Sequence, residues 1–170
     1  MILKELKCFF TEATKSMGFE SKFGCLVKTT NEVIVVLSFQ KSCYSSLVYL
    51  NIKLFIQGIF GKNYQISRDM VNNDVGDVFR RAPKDYDEIF DLSSNLPDNI
   101  RIEHLKRFVD DFLSGFVQQA STVKGITLLA EQGDVFLLPA VKSELKKISS
   151  EIGYIFKCVF FDEGLNLWIM

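Results

Sequence analysis

Residues 33–57, VIVVLSFQKSCYSSLVYLNIKLFIQ, constrain the fold more than any other stretch of the chain. Two long runs rich in β-branched and aromatic residues flank a polar segment carrying Gln40, Lys41 and Ser42, the pattern of two strands joined by a turn. Side chains alternate across a strand, so Val33, Val35, Leu37 and Phe39 share one face, and Ile34, Val36, Ser38 and Gln40 share the other. In the second run Val48, Leu50, Ile52, Leu54 and Ile56 point inward, and Tyr49, Asn51, Lys53, Phe55 and Gln57 point outward. Antiparallel pairing through a turn near residues 41–46 is predicted. A slip of one residue would invert every side chain, so the apolar pattern pins the register.

The flanking segments extend this into an α+β fold. Leu3, Leu6, Phe10, Ala13 and Met17 recur at steps of three and four, which lines one face of an N-terminal helix ending at Gly18. Residues 19–28 alternate loosely toward a turn at Thr29, Thr30, Asn31 and Glu32, adding a strand to a meander of at least three. Residues 58–100 are interrupted by glycine, asparagine and proline, and one or two short strands with long connections are expected there. From Asp98 or Asn99 a helix carries Ile102, Leu105, Val109, Phe112, Phe116 and Ala120 on one stripe, widened by Phe108, Leu113 and Val117. That width predicts a central helix buried on two sides, with Phe112 in the core. Thr122 is placed to cap a short helix ending at Gly133, and Pro139 to open another carrying Val141, Leu145 and Ile148.

The predicted architecture is an antiparallel sheet of three to five strands, with the N-terminal helix and a C-terminal helical half packed on one face. With 48% apolar and 24% charged residues, 170 residues are enough for one cored domain. Residues 1–100 form its helix and sheet, 101–150 its helical part, and 151–170 an aromatic tail that is either a terminal hairpin or a surface for a second copy of the chain.

Composition and motifs narrow the function by exclusion. A formal net charge of −1 supplies no general attraction to nucleic acid or anionic lipid. The lysine- and glutamate-bearing N-terminus does not read as a signal peptide, and no apolar run approaches a membrane span of ~18 residues, so a cytoplasmic protein is expected. Cys8, Cys25, Cys43 and Cys158 are scattered without metal-ligand spacing and read as reduced thiols, so no metal or cofactor is expected. Phosphate-binding glycine loops, nucleophile elbows and zinc-protease motifs are absent, and no catalytic residue is assigned.

The N-terminal helix ending in Gly18-Phe19, the segment VLSFQKSCYSSLVYLNI and the run STVKGITLLAEQGDVFLLPAVKSEL together resemble the bacterial domain-of-unknown-function family numbered 4304, over residues 1–148. The resemblance implies a compact α+β domain of bacterial origin. It implies no activity and no site residues.

The binding candidates come from the residues themselves. Gln40, Tyr49, Asn51 and Lys53 lie on the outward sheet face, with Lys41, Ser42 and Tyr44 at the turn. They offer amides, hydroxyls and an ammonium on a rigid surface, whether as an ordinary solvated face or as a recognition surface. Arg80 and Arg81 are able to grip a carboxylate or phosphate, or to pair locally with Asp85, Asp87 and Glu88. His104 reads as a half-exposed helix residue, and Asp111 as a partner for Arg107 four residues back. The leading expectation is a non-enzymatic protein-binding module, with a toxin-immunity protein as one form. The alternative is a small-ligand binder or enzyme with a polar pocket among Gln40, Lys41, Asn51 and Arg80. Nucleic-acid binding is disfavoured, because no dense basic stripe accompanies Tyr44, Tyr49 and Lys53.

Overall fold

The computed structural model describes residues 1–148, and the aromatic tail with its expected hairpin and self-association surface lies outside the described residues. The chain is α+β. Among the described residues five strands run in simple sequence order, β1 (Glu20–Lys22), β2 (Cys25–Thr29), β3 (Val33–Lys41), β4 (Val48–Ile56) and β5 (Val78–Arg81), each antiparallel to the next. The expected β3–β4 hairpin is present, in register from Val33 opposite Ile56 to Lys41 opposite Val48. Phe39 packs edge-on to Phe10 with ring centroids 5.0 Å apart, while Gln40 is exposed, so the alternation falls as predicted.

The segment read as one alternating strand over residues 19–28 is two. Phe23 (φ 53°) and Gly24 (φ 82°) both adopt left-handed conformations between β1 and β2, as a tight two-residue hairpin turn requires. Phenylalanine is a rare occupant of that position, which hides the turn from sequence patterning.

On the first face of the sheet, Val33, Val35, Leu37, Leu50, Ile52, Leu54 and Ile56 form the main core with the helices. Helix α1 (Leu3–Ala13) contributes Leu6 and Phe10 and opens with Glu5 Oε2 accepting from the Ile2 backbone N–H at 2.8 Å. A long helical rod follows the sheet, built of α4 (Asp98–Phe108), a π-turn (Val109–Leu113) and α5 (Ser114–Ala120). The π-turn admits an extra residue and rotates the apolar stripe, so that Phe108, Val109, Leu113, Phe116 and Val117 are buried. Phe112 is displaced to the rim, half-buried and stacked on Phe116 at 5.6 Å, instead of entering the core as its spacing predicts.

Helix α6 (Val123–Glu131) is capped by Thr122, whose hydroxyl accepts from Gly125 N–H at 3.0 Å. Glu32, from the β2–β3 turn, accepts from Val123 N–H at 2.7 Å, and Thr30 Oγ1 donates to Ser121 O at 2.8 Å. Together these bonds pin the helical half to the meander. A further helix, α7, occupies residues 139–148 and buries Val141 and Leu145.

The second face departs from expectation, because it is not simply solvated. The connection after β4 folds back and lays a short helix, α2 (Arg68–Asn73), over Val27, Ile34, Val36 and Phe55, with Met70 and Val71 closing a second apolar cluster. The fold-back is held by the Gln57 carboxamide, which pairs with both Tyr64 N–H (2.7 Å) and Tyr64 O (3.0 Å), and by Asp77. The Asp77 carboxylate accepts from Ile56 N–H and from the Tyr64 hydroxyl, each at 2.8 Å. Helix α2 covers only the half of this face that lies far from the β3–β4 turn.

Candidate functional site

The uncovered half of the second face is where the sequence-derived candidates gather. Cross-strand pairing puts Ser38 opposite Asn51, Gln40 opposite Tyr49, and Asn51 opposite Arg81, so these side chains form one contiguous patch across three strands. The Arg81 guanidinium lies over the Tyr49 ring, 4.2 Å from its centroid. Among the described residues it forms no ion pair, and the ring face holds it in place of a counter-charge. Phe79, two residues earlier on β5, shares the face and is 40% exposed.

Two candidates expected at the surface are buried. Asn51 is 6% exposed; its Nδ2 donates to Gln40 Oε1 at 3.0 Å, while its Oδ1 meets no donor. Lys53, also 6% exposed, runs beneath α2 and donates from Nζ to Val71 O at 3.0 Å. That carbonyl belongs to the last turn of α2, where unpaired C=O groups and the helix dipole favour a cation. Lys53 therefore secures the cover of the sheet and is withdrawn from the candidate surface.

At the rim, the β3–β4 turn is closed by Ser42 N–H donating to Leu47 O at 2.9 Å, and Ser42 Oγ accepts from Tyr44 N–H at 3.2 Å. Lys41 is exposed beside it and Tyr44 projects fully, at 99% exposure.

Arg80 does not join this patch. Strand alternation sends it to the helical face, where it donates to Asp134 Oδ1 at 3.0 Å and lies 5.1 and 5.0 Å from the Phe112 and Phe116 ring centroids. The four residues of the polar-pocket reading are thus split across the sheet, because neighbours in sequence on a strand face opposite ways. Neither arginine pairs with Asp85, Asp87 or Glu88. Arg107 pairs with Glu103 instead of Asp111, and His104 is half-exposed as expected.

Patterning missed three features. Arg101 is 1% exposed and donates through Nη1 to the carbonyls of Glu88 (3.0 Å), Ile89 (2.7 Å) and Asp91 (2.9 Å), and through Nη2 to Ser94 Oγ (2.9 Å). It thereby terminates the short helix α3 (Asp87–Phe90). The Tyr64–Asp77 pair is the second. Burial pushes the Asp77 carboxyl above its ordinary range, against the two donors that favour its ionised form. Burial and the bond to Asp77 push the Tyr64 phenol upward as well. Phe79 is the third, and its alternation with Arg81 in the string VFRR was the available signal.

Half-buried Cys25 sits at the α2 edge, its thiol 3.6 Å from Asn72 Oδ1 and raised in pKa by burial. Among the described residues there is no group of three or more histidine, cysteine, aspartate or glutamate side chains able to hold a metal ion, and no helix is long and apolar enough to cross a membrane. No protein-family model matches the chain, and no curated protein or solved structure matches it.

Proposed function

We propose that this chain is a non-enzymatic protein-binding module, and that it docks its partner on the uncovered half of the second sheet face and the adjoining β3–β4 turn. The observation that carries this reading is the Arg81–Tyr49 stack beside the Gln40–Asn51 amide pair, rimmed by exposed Phe79 and Tyr44. Arginine and aromatic side chains dominate the energetics of protein interfaces, and a strand-borne patch presents them with little conformational entropy left to lose. Inhibition of a toxin by a bacterial immunity protein is one concrete form of such docking.

Affinity capture from the native host, with the chain as bait, tests the reading. Lys41→Ala combined with Tyr44→Ala removes two exposed rim groups and should abolish retention of the partner while leaving the thermal midpoint unchanged. Asn51 is unsuitable for this variant because it is buried. Failure to retain any protein, or undiminished retention by the double variant, would overturn the proposal.

A further inference from the structure

Among the described residues the sheet ends at β5, whose outer side meets no further strand. Ala82 N–H donates to Leu50 O at 2.9 Å, and Arg80 and Val78 pair with Ile52 and Leu54, so the even-numbered residues turn their backbone groups toward β4. Antiparallel pairing alternates, and the N–H and C=O groups of Phe79 and Arg81 therefore face away from the sheet. Among the described residues no hydrogen bond reaches them. The same two residues carry exposed side chains on the candidate patch.

Charge identifies what this edge fits. The Arg81 guanidinium is the cation of this patch and forms no ion pair among the described residues, whereas Lys41 falls on the opposite strand face and Lys53 is held by Val71 O beneath α2. Asn51, the cross-strand neighbour of Arg81, is more than nine-tenths buried and leaves Oδ1 without a donor. A buried acceptor left without a donor is costly, so such a site is completed by a group that supplies the missing bond or frees Arg81 to do so.

We propose that the partner contributes an extended acidic segment, which adds to the free edge of β5 as a sixth strand. Its backbone pairs with Phe79 and Arg81, and a carboxylate on its second-face side accepts a forked pair of hydrogen bonds from Arg81. The inference rests on the protein-binding reading and specifies how the partner is gripped.

Fluorescence anisotropy with synthetic heptapeptides tests it on the full chain. A peptide alternating valine and aspartate should bind. Its counterparts alternating valine with lysine or with serine should bind at least roughly tenfold more weakly, as should Arg81→Gln presented with the aspartate peptide. The aspartate peptide N-methylated at every second residue keeps the side chains and loses the backbone donors, so it should not bind. Arg81→Lys, which keeps charge without the fork, should fall between wild type and Arg81→Gln. Equal binding of the serine or N-methylated peptide, an unaffected Arg81→Gln variant, no binding at up to about 1 mM peptide, or dimerisation of the chain through β5 would overturn the inference. A host partner lost on the Lys41→Ala/Tyr44→Ala variant but retained by Arg81→Gln would leave the protein-binding reading standing and remove the acidic sixth strand.

Discussion

Arg101 concentrates more consequence in one side chain than any other described residue. Its position, four before Leu105 on the rod, belongs to the apolar stripe, yet a guanidinium there is tolerated only because it meets three carbonyls and a hydroxyl. No local pattern announces those acceptors, which lie seven to thirteen residues earlier in an irregular stretch, so sequence reading passes over the residue. Arg101→Met should cost about 3 kcal/mol in urea unfolding, because the carbonyls of Glu88, Ile89 and Asp91 lose their donor inside the fold. A loss below about 1 kcal/mol would mean that these groups reach water. Tyr64 permits a test by pH. Its phenol is held above its ordinary value of 10.0 in the folded state, so the native chain keeps that proton more tightly than the unfolded chain. The stabilisation is fully present below pH 10 and is lost as pH rises toward the folded value. Thermal midpoints from pH 8 to 11.5 should therefore fall further for wild type than for Tyr64→Phe. Parallel curves would contradict the half-buried contact with Asp77.

Strands and helices with strong periodicity were legible as elements, and the β3–β4 hairpin with its register follows directly from alternation. What periodicity does not encode is an interruption of itself. The π-turn at Val109–Leu113 shifts the stripe by one residue, which moves Phe112 from the expected core to the rim and leaves Phe108 at the centre. Phe108→Ala should accordingly cost ~3 to 5 kcal/mol, and Phe112→Ala about 1 to 2 kcal/mol; the reverse order in denaturant titrations would place the π-turn wrongly. Between α5 and α6 the decisive element contact is Gly125, where an added Cβ would fall far inside contact distance of the Gln119 carbonyl oxygen. Backbone does not yield as a flexible side chain does. Gly125→Ala should lower stability by about 2 to 3 kcal/mol, measured in the same titrations, whereas no cost would show that α6 shifts freely.

At the scale of the molecule, the sheet has one face packed against α1 and the helical half and another divided between α2 and an open patch. The apolar residues Ile34, Val36 and Phe55 on that second face already signalled that something covers it, but the loop-like composition of residues 58–77 concealed which segment does so. Lys53 is buried for the same reason, because outward on a strand means solvent-exposed only where no later segment returns, whereas Asn51 is enclosed by its strand neighbours Gln40 and Arg81. The open patch consists of Gln40, Tyr49 and Arg81 joined by Phe79, while Arg80 lies on the opposite face. Hydrogen–deuterium exchange of the chain with and without its captured host partner tests this division most directly. Protection on partner binding should rise across residues 38–49 and 79–81 and stay unchanged over α6 and α7, whereas protection confined to the helical half would contradict the assignment of the open sheet face as the binding surface.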